Sequence, residues 1–212
     1  IHFMLKTIGD INYPGNFTSN SDGIGNNYNG YKYAEELIAI ANSRLSSNSQ
    51  MRLPPNNATE VKPRKYLYVL NGVFFHENNN YYYFPSYPNN IYNENLGDAI
   101  NVYFNNANGS TGGGHAIMSG NRWIEIKGAW ESYCKNVNDG KGLWVFAGIL
   151  NHEIGHNLSL KHTILTNAGQ CSDIIEDYCI DTPTRKEIKD LFNIEACCGW
   201  GCTTGTNNLM DY

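Results

Sequence analysis

The chain has little charge, and no surplus of positive charge. Only 17% of its 212 residues are Asp, Glu, Lys or Arg, and the formal net charge is −5. That balance removes the electrostatic case for nucleic acid or an anionic membrane as partner. A long apolar run is also missing. The longest stretch, LWVFAGIL from Leu143 to Leu150, falls well short of the ~20 residues a helix needs to cross a bilayer. No internal repeat stands out. No signal-peptide pattern follows Ile1, so the sequence reads as a processed form. Arginine is scarce while Asn and Tyr are abundant, a composition that suits an AT-rich bacterial gene. A hydrophobic content of 41% fits a globular protein with a real core, built as one domain or as two lobes around a cleft.

Cysteine is absent until Cys134, and the other five are Cys171, Cys179, Cys197, Cys198 and Cys202. Six cysteines crowded towards one end predict disulfides stapling a loop-rich C-terminal part, and with them an oxidising, extracytoplasmic location. Spacing alone does not choose the pairing. A thiolate metal site around Cys197, Cys198 and Cys202 is the rival, although CCxxxC is not a usual zinc-knuckle spacing.

Along the chain, IHFMLKTI alternates Phe3 and Leu5 against Met4 and Lys6 and predicts a first strand. An Asn-, Gly- and Ser-rich loop follows from Asn12 to Asn29. YKYAEELIAIANSRL then sets Tyr33, Ala34, Leu37, Ile38, Ala41 and Leu45 on one helical face. Early Glu35 and Glu36 and late Arg44 suit the helix dipole. After a loop bracketed by Pro54, Pro55 and Pro63, KYLYVLNGVFF predicts a second strand, interrupted at Gly72. NNNYYY from Asn78 to Tyr83 can be a sugar-binding aromatic surface or, more plainly, an Asn-rich loop entering a Tyr-rich strand. DAINVYF predicts a third strand, with Ile100, Val102 and Phe104 opposed to Asn101 and Tyr103. The glycine run of GSTGGGHAIMSG leads into a short strand, and WIEIK forms another.

The chemistry concentrates in HEIGHNLSLKHT, residues 152–163. His152 and His156 are four apart, so a helix puts both imidazoles on one face, about 6 Å apart along its axis. Imidazole suits zinc, and two such rings can grip one ion. Glu153, rotated by about 100°, can reach a metal-bound water without being a ligand. His162 lies six residues beyond His156. It reaches the same ion only if the helix stops and the chain turns sharply near Leu158 to Leu160. Three imidazoles would then leave a fourth tetrahedral position for water.

HExxHxxGxxH with a later methionine turn is the metzincin signature. This chain resembles that clan through His152, Glu153, His156, His162 and a terminal NLMDY, in which Met210 matches the methionine turn. HTIL, DYCIDTP and NLMDY look most like the pappalysin (cytophagalysin) peptidases. The resemblance implies an α+β metzincin-like catalytic domain: a twisted mixed sheet, a backing helix, an active-site helix and an irregular disulfide-stapled C-terminal subdomain. The expected parts are residues 1–162, carrying the sheet and both helices, and residues 163–212, carrying the cysteine-rich loops and the turn. It carries zinc onto His152, His156 and His162, a catalytic role onto Glu153, and stabilisation of the oxyanion onto Tyr212. Met210 would be an apolar floor beneath the histidines. Related pappalysins bind calcium in the loop holding Asp173, Glu176, Asp177 and Asp181. Such oxygen density suits calcium, and a solvated acidic loop is the alternative. Cys171 and Cys179 are expected to pair with cysteines among Cys197, Cys198 and Cys202, with Cys134 taking the remaining one. One departure stands out: Ser159 occupies the family's glycine turn position, where a left-handed backbone would cost an L-residue roughly 1 to 2 kcal/mol.

The expected function is thus a secreted zinc endopeptidase, extracellular or on a bacterial cell surface, and monomeric. A zinc-activated water would attack the scissile carbonyl while Glu153 takes its proton. An extended protein or peptide substrate would pair along the Gly112–Ser119 rim, with His115 a rim residue rather than a fourth ligand. Two rivals remain. Glu176 lies 20 residues after His156, a spacing that suits a thermolysin-type third ligand. The other is a non-catalytic binding module for glycan or protein, with zinc structural or absent.

Overall fold

The computed structural model describes residues 1–46, 64–83, 96–106, 113–116, 123–162 and 190, and the backbone alone at 164–167 and 170–175. Met210, Tyr212, Cys179, Cys197, Cys198, Cys202, Glu176, Asp177 and Asp181 lie outside the described residues. Cys171 and Asp173 are described only as backbone.

The elements in order are β1 (His2–Leu5), α1 (Gly30–Ser46), β2 (Phe74–Glu77), α2 (Asn79–Tyr82), β3 (Asn101–Asn105), β4 (Gly113–Ala116), β5 (Trp123–Lys127), α3 (Ala129–Lys135), α4 (Leu143–Asn157), β6 (Ile164–Asn167) and β7 (Gln170–Ile175). Five strands form one mixed sheet in the order β2-β1-β3-β5-β4. The first four run parallel, and β4 joins antiparallel to β5 as the edge strand. Parallel neighbours need long crossovers, and α1 lies in the connection from β1 to β2.

Both faces of the central strands are buried, so the alternation seen in the sequence separates two buried faces rather than core from solvent. On one face Phe3, Val102, Phe104, Ile124 and Ile126 meet Tyr33, Leu37 and Ala41 of α1 and Phe146, Ala147 and Leu150 of α4. On the other, Met4, Tyr103 and Trp123 pack with Tyr81. That second face also buries a hydrogen-bonded polar pair. His2 Nε2 lies 3.1 Å from Asn101 Oδ1, and the Asn101 amide donates to the Leu96 and Ala99 carbonyls.

The Asn-rich loop before α1 is fixed by a carboxylate. Asp22, fully buried, accepts from the Ile24 and Asn26 amides, from Asn26 Nδ2 at 2.6 Å and from the Tyr133 hydroxyl at 2.8 Å. Phe17 beneath it stacks on Tyr33 at 4.2 Å between ring centroids. Tyr133 belongs to α3, a helix absent from the sequence reading. Its seven residues span barely two turns, too few for apolar periodicity to show, and it starts at Gly128 with φ 80° and no side-chain cap.

Three further expectations are corrected. The stretch before Gly72 is not a strand. Asn42 of α1 accepts from the Tyr68 amide at 2.8 Å and donates to its carbonyl at 2.9 Å, occupying the groups a ladder would use. The Tyr-rich segment 79–82 is a short helix, because the Asn78 side chain accepts from the Asn80 and Tyr81 amides as an N-cap. Cys134, expected to complete a disulfide, carries a free thiol on α3. Residues 164–167 and 170–175 also hold more regular backbone than anticipated, since β6 and β7 pair antiparallel.

α4 is held against α1 at several points. Asn151 Nδ2 donates to the Ala41 carbonyl at 3.1 Å, and Arg44 donates to the Trp144 carbonyl while its guanidinium covers the Trp144 ring. At the other end, Asn157 Nδ2 donates to the Trp123 carbonyl of β5 at 3.2 Å. These ties set where the histidine-bearing end of α4 lies relative to the edge of the sheet.

Candidate metal centre

α4 begins as an apolar helix that buries Leu143, Phe146 and Ala147 while leaving Trp144 and Val145 exposed, and it carries His152, Glu153 and His156 on its last turns. Its end fixes the third histidine. Leu158 is the C-cap residue and Ser159 follows with φ 72°, in the left-handed region. The Ser159 amide donates to the His156 carbonyl at 2.8 Å, and the Leu160 amide donates to the Gly155 carbonyl at 2.9 Å. This pair of bonds is the Schellman arrangement, which ends a helix by satisfying its last carbonyls. The chain therefore reverses at the position inferred from the HExxHxxxxxH spacing, and Ser159 adopts the conformation expected of a glycine there.

The reversal brings His162 back over the helix. Its Nε2 lies 3.1 Å from His152 Nε2 and 2.9 Å from His156 Nε2. Among the described residues these three histidines are the group whose ligand atoms all lie within 4.8 Å of one another. With zinc–nitrogen bonds of about 2.05 Å, a tetrahedral ion needs nitrogens about 3.3 Å apart. Both His162 distances fall within half an ångström of that.

Protonation supports the same use. His156 Nδ1 lies 2.8 Å from the Leu160 carbonyl. A carbonyl only accepts, so Nδ1 carries the proton, and in the neutral ring Nε2 presents its lone pair to the common point. The turn that delivers His162 thus also orients His156, as outer partners of metal-bound histidines do. Burial, followed by the neighbouring His156 and His152, pushes the His162 pKa down to about 4, so its ring is neutral at pH 7. Three imidazole nitrogens facing one point fit a zinc ion.

Glu153 lies beside this cluster, 6% exposed. Burial pushes its pKa up to about 7, while a hydrogen bond from the Ala116 amide of β4 works in the other direction. His115 is half-buried on β4, paired across the ladder with Glu125, and burial lowers its pKa. It stands outside the three-histidine group, as expected of a rim residue. Glu176, the rival third ligand, and Tyr212, the proposed oxyanion partner, fall outside the described residues. What sequence reasoning missed is the close approach of Gly114 to Glu153, within a segment it read as a glycine run, a short strand and a substrate rim.

Comparison with family models gives a match to residues 31–163, from α1 to just past His162. The matching family is described as Metallo-peptidase family M12B Reprolysin-like. No curated protein and no solved structure matches the chain.

Proposed function

Since the chain belongs to the M12B reprolysin-like metallopeptidases, we propose that it is a secreted zinc endopeptidase in which Glu153 is the general base. The convergence of three imidazole nitrogens on one point beside a buried carboxylate carries this reading. His152, His156 and His162 would hold the ion. A zinc ion bound there supplies Lewis acidity, lowering the pKa of a coordinated water and polarising a carbonyl. The chain's own groups do the rest. Glu153, with a pKa near 7, accepts a proton from the attacking water and returns it to the leaving amine. The Ala116 amide limits where its carboxyl can lie.

β4 is paired to β5 on one side and is the last strand of the sheet. An extended protein or peptide substrate would add to its other edge, in a cleft between residues 1–162 and residues 163–212. Tyr212 would donate to the oxyanion. The pappalysin affinity within the wider clan rests on HTIL, DYCIDTP and NLMDY, nearly all of which lie beyond the matched segment. Calcium among Asp173, Glu176, Asp177 and Asp181, disulfides among the late cysteines and an extracellular location belong to that same reading. None of the helices among the described residues is long and apolar enough to cross a membrane.

The test is cleavage of casein or gelatin by the zinc-loaded chain, with and without a chelator, beside Glu153→Ala. The variant should keep one zinc per chain and lose cleavage. Undiminished turnover in Glu153→Ala would remove it from the role of base.

A further inference from the structure

Gly114 stands on β4 opposite Ile126 of β5, on the strand face turned towards α4. Its backbone is not in the left-handed region, so the conformation itself does not call for glycine. Space does. A Cβ at this position would lie 2.6 Å from Glu153 Oε1, 2.7 Å from Ile149 Cγ2 and closer still to Glu153 Cγ. Real Cβ atoms essentially never approach neighbours below 3.0 Å, so something would have to shift. Ile149 is part of α4 and packs against the core. The Glu153 side chain would have to swing away from Cγ outward and the Ile149 methyl would have to shift, and the carboxyl, at the end of the longer and more flexible chain, would move furthest. Two residues along the strand, the Ala116 amide donates to that same carboxylate.

We propose that β4 positions the Glu153 carboxylate: Gly114 leaves the space it occupies, and the Ala116 amide holds it there. Gly114 is thus a positioning residue for the reaction, acting through Glu153 and touching no substrate. The inference rests on the peptidase reading for its consequence in turnover, and on the space beside Gly114 with the Ala116 hydrogen bond for the placement. A methyl group at residue 114 would push the carboxyl off the Ala116 amide and away from its working position. Misplacement of a reacting group by ~1 Å can cost up to a hundredfold in rate.

The test uses the zinc-loaded chain, its Gly114→Ala and Glu153→Ala variants, and ¹⁵N-labelled protein for the Ala116 amide. Gly114→Ala should keep one zinc per chain and lower kcat by about tenfold or more, with KM altered by less than about threefold. Its Ala116 amide proton should move upfield, in the same direction as in Glu153→Ala. Full kcat in Gly114→Ala, or an unmoved Ala116 resonance, would overturn the proposal. If Gly114→Ala alone fails to fold, truncating both Glu153 and Ile149 to alanine in that background should restore folding, and failure to do so also counts against it. A parent chain that cleaves nothing would sink the peptidase reading instead, while the amide resonance would still judge the placement.

Discussion

Replacing Ser159 with glycine should stabilise the folded chain, by an amount set by the turn it occupies. The residue sits at φ 72°, immediately after the C-cap of α4. A left-handed backbone costs an L-residue roughly 1 to 2 kcal/mol. Glycine avoids that cost, but its unfolded chain is freer, which returns about 0.5 to 1 kcal/mol. The net gain is about 0.5 to 1 kcal/mol, or about 1 to 4 °C in Tm for a chain of this size. The turn's two hydrogen bonds come from the Ser159 and Leu160 amides, so neither is lost when the side chain is removed. A series sharpens the test. Asparagine tolerates the left-handed region, so Ser159→Asn should be neutral to slightly stabilising. A β-branched residue is poorly suited to it, so Ser159→Val should cost about 1 kcal/mol or more. Urea unfolding of the four zinc-loaded proteins would read the order Gly, Asn, Ser, Val from most to least stable. A glycine variant no more stable than the parent, together with an unaffected valine variant, would mean that residue 159 does not hold this turn.

Asp22→Asn should destabilise the fold by about 1 to 3 kcal/mol, because an amide nitrogen would face donors from Asn26 and Tyr133; parent-like denaturant stability would show that the carboxylate is not the anchor of its loop. Although burial works to raise the Asp22 pKa, its hydrogen bonds from Asn26, Ile24 and Tyr133 hold it below the usual 3.8. Its contribution should be present above that pH and fade as pH falls through the lower, folded value. His2 acts over a higher window. Burial pushes its pKa from 6.5 down to about 4, so the unfolded chain takes up the proton first and stability should decline as pH falls from 6.5 towards 4. His2→Gln should flatten the Tm-against-pH curve in that window, and an unchanged slope would assign the loss to other groups.

What the sequence disclosed depends on whether the causes were local. The zinc-site geometry was legible because helical spacing and one enforced reversal are properties of a short segment. The distance between His156 and His162 required a sharp turn near Leu158 to Leu160, and the resemblance to HExxHxxGxxH marked Ser159 as its left-handed residue. α1 was legible for the same reason, since five of its residues form one buried face. The misread segments were decided by distant or very short-range partners. Tyr68 is extended by sequence pattern, yet its amide and carbonyl are taken by Asn42, 26 residues earlier. Residues 79–82 became helical through one capping side chain. The close approach of β4 to Glu153 joins two elements far apart in the chain, and a glycine does not announce which neighbour needs its space. α3 is too short to declare a period, though its Tyr133 and Trp130 secure the loop at Asp22.

The most direct measurement is X-ray absorption at the zinc edge of the loaded chain, beside His162→Ala. The account predicts a first shell of nitrogen and oxygen at about 2.0 to 2.1 Å containing three imidazoles, reduced to two imidazoles in the variant with a marked loss of zinc affinity. A first shell containing sulfur at about 2.3 Å, or a His162→Ala spectrum identical to the parent's, would contradict it.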